Sequence, residues 1–190
     1  MPVQTQHEYM SYEEFGRRFF EVAVSEERVA DAIGGIAGEA FDMGPIAQGP
    51  GGLAKVTARV QIKHPVVART LGEEITFAIR IPLEIDMTLD LRIDRPRFMV
   101  FGEINLTATA RAAHPLLLVI DVKTPRSSDI AIHVTSSSIR AELLRIVANV
   151  DGEIRRFIAH HVAGEINGAD AKVIRSEEHT SELQSLACIS

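Results

Sequence analysis

The residues of this sequence best equipped for chemistry are its histidines and a few acids, beginning with the adjacent pair His160 and His161. Neighbouring side chains on a helix diverge by about 100°, so this pair cannot hold one metal ion as an i, i+4 pair could. His161 falls within the apolar stripe of its helix, where a hydrogen-bonded core or groove-edge histidine is the plain reading and a catalytic histidine the sharper one. His133 alternates onto the polar side of a strand, and His64 and His114 each precede a proline at a turn. Asp121 lies beside Lys123 on a polar strand face, as solvated charges do. The run GPIAQGPGG (44–52) lacks the Lys-Ser/Thr ending of a phosphate-cradling loop and reads as a structural turn. Serine nucleophile elbows and zinc-ligand helices are absent from the sequence. We therefore expect no catalytic residue, no cofactor and no metal ligand. A hydrolase-type enzyme using His161 or Asp121 ranks third among the functional readings.

The dominant pattern is physical. From 75 to 93 every odd position is large and apolar, whereas the even positions run Thr76, Ala78, Arg80, Pro82, Glu84, Asp86, Thr88, Asp90 and Arg92. A period of two sustained this long predicts one strand of roughly 60 Å with a single greasy face. The same alternation predicts strands around Ala54, Val56, Ala58, Val60 and Ile62, around Phe98, Val100, Ile104, Leu106, Ala108 and Ala110, then at Leu116, Leu118, Ile120 and Val122, and at Ile130, Ile132 and Val134. Short connections make this an antiparallel meander of about five strands. Pro82 lacks an amide donor and is expected at an edge or a bulge.

Helices flank the meander. Ser11 followed by Glu14 forms a capping box ahead of Phe15, Phe19, Phe20 and Val22, and Ser25 caps a second helix with Val29, Ile33 and Ile36. After the strands, 139–166 returns to helical spacing through Leu143, Val147, Ile154 and Phe157, with a kink or break expected at Asp151-Gly152. The fold class is α+β: N-terminal helices, a long curved antiparallel sheet and a long C-terminal amphipathic helix.

The run RSEEHTSELQS (175–185) matches the in-frame translation of a common short-read sequencing adapter, and the five residues after it fit the index and flanking bases. Residues 175–190 are therefore expected to be an artefact that replaces the natural C-terminus, leaving a flexible 1–10 and one domain over 11–174. Setting aside the three acids and one base of that tail moves the net charge from −6 to −4. It also removes Cys188, the single cysteine, and with it disulfides and thiolate chemistry. Acids concentrate in 1–42, nine against three bases, and no Lys/Arg cluster builds a nucleic-acid-binding face. Without a leader-like N-terminus or an apolar run of about 18 residues, a cytoplasmic protein is expected.

The order of helices, long one-faced sheet and long helix resembles the tubular lipid-binding (TULIP-like) superfamily, in which a curved sheet wraps a helix and the groove between them takes acyl chains. EFGRRFFE (14–21), EERV (26–29), GPIAQGPG (44–51) and DGEIRRFIA (151–159) look like an uncharacterised actinobacterial protein family. The superfamily resemblance implies a lipid or other long apolar ligand held without covalent chemistry. Its candidate contacts are Phe77, Ile79, Ile81, Leu83, Ile85, Met87 and Leu89 on the long strand, Val100, Ile104 and Leu106 on the next, and Leu143, Val147, Ile154 and Phe157 on the helix. The alternative is a scaffolding module whose apolar strip and strand edges form homo- or hetero-oligomers. In Phe98-Met99-Val100-Phe101 both strand faces are apolar, so Met99 and Phe101 project outward. They either lie under the N-terminal helix or form an apolar tip, flanked by Arg92, Arg95 and Arg97, that touches a membrane or a partner.

Overall fold

Alternating side chains build a sheet whose two faces differ in kind. A computed structural model describes residues 8–48, 52, 54–91, 94–115, 117–133, 141–167 and 173–174, with backbone alone for 36, 48, 141–149, 173 and 174. The segment 175–190, most of the expected flexible N-terminus, and Arg92, Ile93, Leu116, Val134 and Ile139 lie outside the described residues. In chain order the elements are α1 (Tyr12–Ala23), α2 (Glu26–Ile33), a 3-10 turn (Gly34–Ile36), β1 (Ala40–Gln48), β2 (Ala54–Ile62), β3 (Val66–Thr70), β4 (Thr76–Asp90) and β5 (Arg97–Ala113). There follow β6 (Leu117–Val122), a second 3-10 turn (Ser127–Asp129), β7 (Ile130–His133), α3 (Ala141–Asn167) and β8 (Val173–Ile174). This is the expected α+β layout, helices before and after one antiparallel sheet.

The pairing explains why five expected strands become eight among the described residues. β4 and β5 run side by side along 76–88 and form the spine. β2 lies beside β4 over 83–90 with β1 outside it, and β3 lies beside β4 over 76–80. On the other side of the spine β7 lies beside β5 over 101–104, opposite 81–84 of β4, and β6 lies beside β5 over 108–113 with β8 outside it, so the shorter strands take turns beside the two halves of the spine. Pro82 sits where β2 hands over to β3. Its carbonyl accepts from the Lys63 amide at 2.9 Å, so its missing donor also faces that junction rather than the β5 ladder.

β1 corrects the expectation of a turn over 44–52. Residues 44–48 complete a strand, with an irregularity between Met43 and Ile46 that absorbs the Gly-Pro pair. Gly44 has φ +103°, and a Cβ there would lie 2.5 Å from the Val56 carbonyl oxygen. Gly44→Ala should therefore destabilise the fold by about 2–4 kcal/mol through a strained backbone and a clash, read as a lowered denaturant midpoint.

The helices close the sheet from one side. Ser11 Oγ accepts from the Glu14 amide at 3.1 Å and Ser25 Oγ from the Arg28 amide at 3.2 Å, as their spacing predicts. The α1–α2 corner is fastened to β3 by Arg69, whose guanidinium donates to the carbonyls of Glu21 at 2.6 Å and Val24 at 2.9 Å. α2 lies close to β3 and β8, the two rims of one half, while α3 lies close to β1 and β7, the rims of the other. Helices that meet both rims lie across a sheet curled toward them. α3 runs unbroken through Asp151-Gly152, so the expected break does not occur, and at 1.5 Å per residue its 27 residues span about 40 Å. Asp151 instead pairs with Arg155 at 2.7 Å.

Candidate functional site

The apolar strip is the inner face of the sheet. On β4, Phe77, Ile79, Ile81, Leu83, Ile85, Met87 and Leu89 are each at most 2% exposed. Val100 and Ile104 on β5 are fully buried and Leu106 nearly so. Across from them α3 presents Val150, Ile154, Ile158, Val162 and Ile166, one step of four apart and all buried. The structure thus gathers most of the predicted contacts into one interior, which is closed at these positions. The side chains of Leu143 and Val147 lie outside the described residues. Phe157 is the exception. It is 43% exposed, with its ring 5.8 Å from that of Phe41 on β1, so it belongs to the rim rather than the interior.

Among the described residues no polar or charged side chain is buried. An interior of this kind can solvate an alkyl chain or pack against itself, and it offers nothing to orient a reacting group. The polar candidates lie elsewhere. Asp121 is 3.6 Å from Arg111 on the outer face with both side chains more than half exposed, and His64, His114 and His133 are exposed. Gly44 to Gln48 of the glycine-rich run belong to β1.

The α3 rim brings together a cluster that spacing along the strands does not reveal. His161 packs against Phe41 with ring centroids 4.0 Å apart and the planes tilted by 36°, and its Nε2 is buried with no hydrogen-bond partner. One ring nitrogen of His161 and one carboxylate oxygen each of Glu39 and Glu165 lie within 4.8 Å of one another. The neighbouring His160 is exposed and takes no part in the cluster. His161 and Glu165 are an i, i+4 pair whose spacing could be read from the sequence, although Glu165 was not among the expected site residues. Glu39, distant in the chain, carried no such signal.

Met99 and Phe101 project from the outer face of β5, each 45% exposed, beside Asp86 and Glu84 of β4. A covering N-terminal helix would have buried them, so that expected second layer is not what the fold provides. Arg95 pairs with Asp90 at 3.1 Å, Arg97 is exposed and Arg92 lies outside the described residues. A shallow polar depression follows on the same face, lined in part by Asp42, Thr57, Arg59, Asp86, Thr88 and Arg97. Replacing Met99 and Phe101 together by serine should cost about 2 kcal/mol of stability while leaving the protein folded, since each side chain is a little more than half buried, and a thermal melt reads the loss. Liposome flotation of the same variant reads the tip, and unchanged binding excludes membrane contact there.

Models of protein families and curated proteins give no match to this chain.

Proposed function

We propose that this protein is a non-catalytic binder of a long apolar molecule, of lipid acyl-chain character, taken up between the inner face of the sheet and its covering helices. The single observation that carries the reading is the inner face itself: an apolar strip along two long strands, roughly 50 Å on β4, with no buried polar side chain among the described residues. Burial of acyl chain supplies about 0.8 kcal/mol per CH2, and no covalent step is needed. Because the described strip is closed, uptake requires α2 or α3 to part from the rims they touch. The order of helices, long sheet and long helix, on which the resemblance to the tubular lipid-binding superfamily rests, supports the reading. Titration with a fluorescent long-chain fatty acid tests this: saturable one-to-one uptake supports it, and no uptake contradicts it.

A second reading has its own observation. No residue of α1 is buried, and Tyr12, Phe15, Phe19 and Val22 are between 56% and 97% exposed. Such a face suits a protein-interaction module, as a scaffolding role would need. Size-exclusion chromatography with light scattering separates the two readings, because a concentration-independent oligomer dispersed by Phe15→Ser with Phe19→Ser favours the module.

A further inference from the structure

We propose that Glu39, His161 and Glu165 form a site for a divalent cation of the zinc class, one that fastens α3 to the start of β1. This goes beyond the binding reading above and does not depend on it. The donor set of one imidazole nitrogen and two carboxylate oxygens suits zinc, with water completing a tetrahedron.

Several features prepare the three residues. Gly38, at φ +85°, turns the chain into Glu39, and the Glu39 carbonyl accepts from the Ile62 amide at 3.0 Å, so its backbone is tied to the end of β2. His161 and Glu165 share one side of α3. Phe41 fixes the imidazole plane, and no hydrogen bond claims the buried Nε2. Neither carboxylate has an ion-pair partner among the described residues. Two unpaired acids beside an imidazole repel each other, and a cation removes that repulsion. The donor atoms, now within 4.8 Å of one another, must draw in to the ~3.3 Å edge of a tetrahedral zinc site. Both glutamates are exposed at the rim, and rotation about their side-chain bonds closes the gap.

The test is calorimetric titration of the full chain with zinc chloride after chelator treatment, together with its thermal midpoint with and without zinc. The expected result is one saturable site and a raised midpoint. Glu39→Gln and Glu165→Gln should each weaken that site at least tenfold, while Glu153→Gln, on the same helix, leaves it unchanged. These exposed glutamates can be changed without disturbing the core, so lost binding is not lost folding. No saturable site, or one whose affinity neither substitution changes, overturns the proposal. Weakening by Glu165→Gln but not by Glu39→Gln overturns the link between helix and strand.

Discussion

Leu83→Asp is expected to abolish the cooperative thermal transition, whereas Asp86→Asn, three residues along the same strand, should change stability by no more than about 0.5 kcal/mol. Leu83 is 1% exposed at the middle of the spine, opposite Ile62 of β2 and Gly102 of β5. An aspartate there has no cation within the described interior, and an unpaired buried charge costs several kcal/mol. That is most of the stability of a domain this size. Asp86 faces water on the other side of the pleat. Circular dichroism melts of the two variants read the difference. Similar melts would mean that the strip is not the organising core.

The second large effect concerns chain length. Palmitate should bind about 30,000-fold more tightly than octanoate, because eight further methylenes at about 0.8 kcal/mol each add roughly 6 kcal/mol. The work of parting the helices is common to both ligands and cancels in the comparison. At a hundred times its dissociation constant the longer chain stabilises the folded state by about 2.7 kcal/mol, which raises the melting temperature by about 5–10 °C. Differential scanning calorimetry with a homologous series of fatty acids checks both figures. Affinity independent of chain length would place any bound ligand on a surface patch instead.

Periodicity made the spine legible: the strip expected over 75–93 is β4 at Thr76–Asp90, and the two serine caps stand where their spacing puts them. The same patterns could not say what covers a face. α1 and α3 both carry apolar stripes, yet α1 buries none of its residues while α3 lines the core, because rim geometry and not local sequence decides which helix reaches the interior. β1 escaped notice because a Gly-Pro pair signals a turn, whereas a strand irregularity can absorb it. The exchange of β2 for β3 beside β4 is marked locally only by His64-Pro65 and by Pro82. Glu39 meets His161 only through tertiary packing, so one of the three residues of the rim cluster was invisible along the chain. Phe157, in helical phase with the core stripe, faces the rim because the curled sheet brings Phe41 beside it.

The most direct test of the apolar-binding account is native mass spectrometry of the purified protein, followed by organic extraction of the same sample. The account predicts near-stoichiometric co-purification of an apolar molecule with a long alkyl portion, lost from the complex on extraction. A monodisperse species at the mass of the chain alone, with nothing apolar in the extract, would contradict it and leave the inner face as a self-packed core.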